Sequence, residues 1–366
     1  MIDSSQNSQK SVTVIGAGVA GMSAACALAE AGFRVQLVER RGYLGGRASS
    51  YLHPGVNEVI DNCQHVLFGC CTNLLGFYRR IGVSDRIHWT HEMTMIEPGG
   101  RRSRLEPFRF GPFRLPAPLH GAPSFLSAKS LTFADKISLG RAMRAMMRPD
   151  ALIDTRESLG AWLRRHRQTE GAVNRFWRLV IASALNAELD SIAVPYAAKV
   201  IRELFLNSAE AGSMGMSTVP LSELYAGVTP FIEQRGGNYI ELVVSATRSF
   251  AALPREAAIQ QALTELAEFF PRVKEAKLEK VALIKEVNAT FGIAPGIDSA
   301  RPGAASSWPN LFLAGDWVQT GWPSTMESAA RSGHLAAEAL GMAAGEPLRC
   351  FEPDLKPQGL MRWISP

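Results

Sequence analysis

The stretch Val12-Thr13-Val14-Ile15-Gly16-Ala17-Gly18-Val19-Ala20-Gly21 decides the fold of this chain. Its first four residues form a short β-branched run, the composition of a buried strand. Three glycines follow at G-x-G-x-x-G spacing, and Met22 to Glu30 then reads as an Ala-rich helix. A second apolar run, Val35 to Val38, ends on Glu39. Each part has a physical task. Gly16 permits the tight strand-to-helix turn, Gly18 lets backbone approach a pyrophosphate, and Gly21 lets helix and strand pack closely. Ala20 lies just before that helix, whose N-terminus offers unpaired N–H groups and the positive end of its dipole to phosphate. Glu39, with Arg40 beside it, sits where a carboxylate accepts hydrogen bonds from an adenosine ribose. The spacing alone is weak evidence; strand, helix and acid at the right distance together predict a dinucleotide cradle. A crossover helix must bring the next strand back parallel, so residues 12 to about 50 are read as the start of a parallel α/β sheet.

The bulk properties narrow the rest. A chain of 366 residues is long enough for about two domains. Its 46% hydrophobic and 20% charged content are those of a globular protein. The net charge of +5 and pI of about 9.0 suit an anionic membrane surface or anionic ligands without naming either. No Lys/Arg run interleaves with aromatics, so nucleic acid is not an expected partner. No stretch of about 18 uninterrupted apolar residues predicts a spanning helix. Residues Met1 to Lys10 are polar, so no secretion signal is read. The cysteines (Cys26, Cys63, Cys70, Cys71 and Cys350) are odd in number and lack a CxxC, as expected of thiols in a reducing, cytoplasmic compartment. His88 and His91 have no carboxylate or cysteine to complete a metal site, and no metal is expected.

Along the chain, a helix is predicted near Thr72 to Ile81. Five prolines between Glu106 and Pro123, among Phe108, Phe110, Phe113 and Leu115, resist helix and central strand and predict an ordered loop with an apolar surface. Thr132 then reads as an N-cap, with Asp135 three residues on, for a helix reaching about Met147. That helix carries Phe133, Ile137, Met143, Met146 and Met147 against Lys136, Arg141, Arg144 and Arg148. Either it lies on a membrane or it packs its apolar side on the core. Further helices are predicted over Ser158–Arg167, Ala172–Leu185, Ala197–Ser208 and Pro254–Phe270. The tail returns to α/β character, with strands at Val281 to Val287 and Leu311 to Leu313 and an Ala-rich helix at Glu327 to Leu340. The expected organisation is a discontinuous nucleotide-binding domain (1–85 and 281–345), an inserted, mainly helical substrate or cap domain (86–280), and a tail (346–366). Gly236-Gly237-Asn238-Tyr239 should launch a hairpin, yet the segment after it is too short for the sheet this domain requires.

Gly45-Gly46-Arg47 follows Glu39 by a short loop. Strand, GxGxxG, acid and GGR in this order resemble the extended dinucleotide motif of FAD-dependent amine oxidases and carotenoid desaturases, in which the arginine contacts the FAD phosphates. Guanidinium pairs well with phosphate oxygens. Asn310-Leu311-Phe312-Leu313-Ala314-Gly315-Asp316, then Gly321-Trp322-Pro323-Ser324-Thr325-Met326, resemble the C-terminal FAD motif of the same superfamily. There the aspartate bonds the ribityl–pyrophosphate region, and the helix opening at the Thr-Met pair points its N-terminus at the flavin pyrimidine edge. A helix N-terminus favours negative charge on the reduced flavin. The resemblance implies FAD rather than NAD, held in a Rossmann-like fold of the GR2 type.

A third group narrows the family. Asp61-Asn62-Cys63-Gln64-His65-Val66-Leu67, Leu115-Pro116-Ala117-Pro118-Leu119-His120, Ala184-Leu185-Asn186, Pro220-Leu221-Ser222-Glu223-Leu224, Ala289-Thr290-Phe291 and Arg301-Pro302 together resemble the hydroxysqualene dehydroxylases, or squalene-associated FAD-dependent desaturases. The chain departs from them in having Cys63 where glycine is expected, and in its shortness after Gly237. The resemblance implies reductive removal of an allylic hydroxyl from hydroxysqualene, a C30 isoprenoid, by a peripheral protein at the inner face of the membrane. Such a reaction needs an acid for the departing hydroxyl. His65 and Asp61 are the candidates, against the alternative that they only fix the loop, and Gln64 is assigned to face the flavin ring. Only one GxGxxG motif occurs, so no nicotinamide domain is read and no electron donor is named. A carotenoid or phytoene desaturase, an amine or porphyrinogen oxidase, and a non-enzymatic isoprenoid carrier are the competing readings.

Overall fold

The computed structural model describes residues 10–110, 113–153, 156–226, 250, 252–278, 281, 283–284 and 289–364. The opening motif folds as its sequence predicts. Strand β1 (Ser11–Ile15) pairs in parallel with β2 (Arg34–Val38), in register from Ser11 opposite Arg34 to Ile15 opposite Val38. The crossover is helix α1 (Val19–Glu30), whose small residues Ala20, Ala24 and Ala27 are buried. They let it approach the long helix Met326–Ala343 closely: a Cβ on Gly333 would stand 2.2 Å from the Ala20 carbonyl oxygen. Two sequence-distant segments thus pack as neighbours by virtue of their small residues.

Beyond this unit lie small antiparallel sheets. Strands β3 (Ser50–His53) and β4 (Glu58–Asp61) form a hairpin. Leu67–Phe68 and Ile87–Thr90 flank Met214–Ser217 in a three-stranded sheet, so Met214 pairs with Phe68 far back in the sequence. Met93–Ile96 pairs with Arg102–Leu105. Helix α2 (Thr72–Arg80) falls where it is predicted.

The middle of the chain is a helical body. The Thr132–Asp135 capping box opens the helix Phe133–Met146, with both reciprocal hydrogen bonds made. That helix buries Leu139, Ala142 and Met146 in the core and leaves Phe133 and Ile137 exposed, so its apolar residues divide between the two predicted roles. Leu159–Arg165 follows, capped by Ser158. The helical stretch expected over Ala172–Leu185 begins at Glu170–Ala172, widens into π-helical turns over Val173–Ala182 and closes with Ser183–Leu185. Val194–Ile201 and Arg255–Phe269 complete the set. Trp177, Ile181, Ile192 and Ile201 form the centre of this core and are wholly inaccessible to solvent. Burial of each such side chain contributes about 1.5–3 kcal/mol.

Four expectations are corrected or fall outside the described residues. Leu311–Leu313 forms no strand; its one ladder contact is a bridge between Phe312 and Ala305. A strand is a property of pairing, and apolar sequence cannot make one without a neighbour. The predicted strand Val281 to Val287 lies largely outside the described residues, and Val281, Leu283 and Ile284 carry no strand. The Pro/Phe segment is not purely loop, because Arg109–Phe110 pairs with Phe113–Arg114. The Gly236–Tyr239 segment lies outside the described residues. Among the described residues no helix is long and apolar enough to cross a membrane. At this level the fold is α/β, with a parallel βαβ unit and a separate helical core.

Candidate functional site

Gly16, which donates its N–H to the Val38 carbonyl oxygen at 2.7 Å, turns the chain out of β1 at φ +100°. A Cβ on Gly21 would lie 1.9 Å from the Gly16 carbonyl oxygen, so only glycine lets α1 begin this close to the turn. Gly18 is the N-cap of α1 and no side chain caps it. A Cβ there would meet open space, on the wall of a cavity of about 3150 Å³. Gly45 donates to the Ala17 carbonyl oxygen at 2.9 Å, which draws the Gly45-Gly46-Arg47 loop onto the same helix N-terminus.

That cavity brings together Gly16, Gly18, Ala20, Gly21, Glu39, Gly45, Gly46, Arg47, Asp61, Gln64, His65, Gly315, Asp316, Thr325 and Met326, so both motifs reach one wall. Arg40 is not on that wall; its neighbour Arg41 is, because successive residues after β2 point to opposite sides. Val12, Val14 and Ile15 of β1, Leu28 of α1 and Phe33 line it too, so the cavity extends over apolar surface.

Glu39 accepts from Ala17 N and Arg41 N, both at 2.8 Å. Those N–H groups, Arg41 first, hold its carboxyl below the usual range. Its charge is thereby fixed at the end of β2, with lone pairs left for a ribose hydroxyl. Arg47 bridges the motifs: Nη2 is ion-paired to Asp316, and Nη1 donates to the Ala289 carbonyl oxygen at 2.6 Å. Asp316 is buried and also accepts from the Ser324 hydroxyl. Thr325 caps the Met326–Ala343 helix through its hydroxyl, which accepts from Ser328 N at 3.1 Å. Ser328 in turn donates to the Asp316 carbonyl oxygen at 3.1 Å, so acid and helix N-terminus are locked together.

His65 donates from Nδ1 to the Cys63 carbonyl oxygen at 2.8 Å; a carbonyl only accepts, so the proton is on Nδ1. Nε2 is left as the nitrogen that takes up and releases a proton. Burial pulls the imidazole below its ordinary value, against the opposing pull of the Cys63 carbonyl and the Asp61 charge. Its acid form therefore builds up on the acidic side of neutrality, which works against a donor at neutral pH and places that role at lower pH. Cys63 itself stands at φ +71°, the left-handed region where the family resemblance expects glycine. Asp61 faces the cavity but is tied elsewhere: its Oδ1 accepts from Ser50 Oγ at 2.5 Å and Leu221 N at 3.1 Å.

Sequence reasoning missed a buried cluster behind this wall. Glu327, in the first turn of the long helix, accepts from Asn73 N at 3.2 Å and Leu74 N at 2.8 Å at the start of α2. His334, two turns on, donates from Nδ1 to Asn73 Oδ1 at 2.9 Å and accepts from Arg80 at Nε2. Burial first, then the Arg80 charge, drive His334 down to about 4. Glu327 and His334 share a helix face at a spacing of seven, but nothing in the sequence points to Asn73.

The donor set fits a flavin dinucleotide. An uncapped helix N-terminus, bare glycine backbone and a guanidinium suit the phosphates, while the carboxylates suit ribose and ribityl hydroxyls. The family model for flavin containing amine oxidoreductases matches residues 19–240 and 234–341. A zeta-carotene desaturase of Zea mays is 30% identical over 243 residues, covering 62% of this chain and 41% of that protein. The chain spans less than half the length of the carotene desaturases it matches. The hydroxysqualene dehydroxylase of Rhodopseudomonas palustris is 26% identical over 433 aligned positions, covering 92% of this chain and 99% of that protein. An alignment of 433 positions exceeds the 366 residues of the chain, so that relative carries internal residues without counterpart here. The two stretches of the family match overlap at residues 234–240. Among solved structures, an oxidoreductase from Methanosarcina mazei shares the fold at a TM-score of 0.55 and 14% identity, over 92% of this chain and 100% of that one.

Proposed function

Because this chain belongs to the family of flavin containing amine oxidoreductases, we propose that it is an FAD-dependent oxidoreductase that removes the allylic hydroxyl of hydroxysqualene to give squalene. The observation that carries this reading is the reach of the resemblance: it runs the length of a hydroxysqualene dehydroxylase, against 41% of a carotene desaturase. The nucleotide motifs, Gly16 to Gly21 with Glu39, Gly45 to Arg47 and Gly315 to Met326, form the FAD domain in this reading, and the helical body is the substrate domain. Bound reduced flavin supplies a hydride to the carbon that loses its hydroxyl.

The chain's own residues supply the rest. Departure of hydroxide requires a proton, and the overall change is hydride to carbon, proton to oxygen, and water released. His65 is assigned to that proton through Nε2, since its Nδ1 is held by the Cys63 carbonyl. Asp61 orients the loop by gripping Ser50 and Leu221 and adds negative charge that favours the imidazolium. Gln64 faces the cavity between them and borders the flavin ring in this reading. Apolar walls suit a C30 chain, because each buried methylene contributes about 0.8 kcal/mol. The exposed Leu119, Leu126, Phe133 and Ile137, with Lys129 and Lys136 nearby in sequence, are assigned to docking on an anionic bilayer where such a lipid resides. Retention in solution beside anionic liposomes at low salt would dismiss that docking.

The test is incubation with hydroxysqualene and a flavin reductant, followed by analysis for squalene. Squalene is expected, in an amount that grows as pH falls through the lowered His65 value. His65→Ala is expected to cut turnover sharply with the bound-flavin spectrum intact. Desaturated products from a carotene, with none from hydroxysqualene, would favour the desaturase reading instead.

A further inference from the structure

Arg301 has the most complete set of partners of any cation described, and no role assigned above uses it. Its side chain is 3% exposed. Nε donates to the Trp317 carbonyl oxygen at 3.3 Å, and Nη2 to those of Asp316 at 3.1 Å and Val318 at 2.5 Å. Nη1 donates to the Trp322 carbonyl oxygen at 2.9 Å, to Asp298 Oδ1 at 3.1 Å and to the Tyr196 hydroxyl at 2.8 Å. The Tyr196 hydroxyl donates a hydrogen bond to Asp298 Oδ1 at 2.6 Å, and the Phe291 ring lies 4.8 Å from the guanidinium carbon.

Four of these acceptors are backbone carbonyls of one turn, residues 316–322. That turn carries Asp316 and leads directly to the Thr325 cap. Tyr196 belongs to the helix Val194–Ile201 in the helical core. One guanidinium therefore fastens the second nucleotide motif to the helical body. A lone Lys has no planar fork with which to reach four carbonyls at once. In a trans peptide the N–H points opposite to the C=O, so drawing the Asp316 carbonyl toward Arg301 turns the Trp317 N–H to the other side of the turn.

We propose that Arg301 is a positioning residue for the flavin: it sets the 316–322 turn, and with it the Asp316 carboxylate and the N-terminus of the Met326–Ala343 helix, while Tyr196 couples that turn to the substrate domain. This rests on the flavin reading above, and two readouts separate the two. In the flavin-free protein, hydrogen exchange at the Val318 and Gln319 amides, which are bonded to the Gly315 and Pro302 carbonyl oxygens, reports the turn itself. Arg301→Lys is expected to speed that exchange about tenfold or more, and to weaken FAD binding by a similar factor, as loss of several charge-assisted hydrogen bonds requires. Tyr196→Phe keeps the four carbonyl contacts, and is expected to fold as wild type and to speed exchange about threefold. Unchanged exchange in Tyr196→Phe, or in a folded Arg301→Lys, overturns the assignment. Faster exchange with FAD affinity held at the wild-type value also overturns it, because Arg301 is then structural only. A wild-type chain that binds no FAD removes the flavin reading, while the exchange result still decides whether Arg301 sets the turn.

Discussion

In the helical body Trp177, Ile181, Ile192 and Ile201 are sealed from solvent, whereas at the cradle Ile15 is 86% exposed and Leu37 and Val38 of β2 are exposed beside it. The residue types are equally apolar in the two regions. The body covers them with its own helices, with Trp162, Phe176 and Trp177 packed edge to face. The cradle, among the described residues, has two parallel strands and one crossover helix. A parallel strand is normally covered on both faces. The body should therefore hold its stability without help, while the cradle should draw part of its order from what it binds.

The largest effect should come from Trp177→Ala. Trp177 is fully buried and donates from Nε1 to Gln168 Oε1 at 3.0 Å. Loss of about 3–5 kcal/mol is expected in denaturant unfolding, and equally with or without FAD. A cost that FAD largely repairs would erase the distinction between the regions.

Acid should strike behind the cradle next. His334 is held neutral at about 4 against an ordinary 6.5. Because the folded value is the lower one, its contribution is present above pH 6.5 and is lost as pH falls through that value toward 4. The full difference amounts to about 3 kcal/mol, and His334→Gln should flatten that part of the stability–pH curve. An unchanged curve would mean that the Asn73–His334–Arg80 chain does not hold α2 against the long helix.

The smallest effect tests the departure at Cys63. Its left-handed backbone, at φ +71°, should be relieved by Cys63→Gly, raising stability by about 1 kcal/mol in thermal unfolding. A loss instead would show that the thiol makes contacts worth more than the strain.

What the sequence made legible follows distance along the chain. The βαβ unit, the Thr132–Asp135 cap and the helices of the body are local patterns, and each lies within a residue or a few of its predicted place. Motif spacing also placed Asp316 and Thr325 on the wall that Gly18 lines, although some 300 residues separate them. Pairings with no motif were invisible: Met214 beside Phe68 and Thr90, Glu327 beneath Asn73, and Tyr196 under Arg301. Each depends on which surfaces meet after folding. The strand expected at Leu311–Leu313 failed for the related reason that strand sequence does not supply a strand partner.

The central claim is that two distant segments grip one flavin, and FAD titration of the flavin-free protein tests it most directly. Arg47 belongs to the first motif and Asp316 to the second, and they are ion-paired across the cavity wall. The account predicts that Arg47→Ala and Asp316→Ala each weaken FAD binding about tenfold or more while both variants remain folded. FAD bound as tightly by either variant as by wild type, or displaced by a nicotinamide dinucleotide, would contradict it.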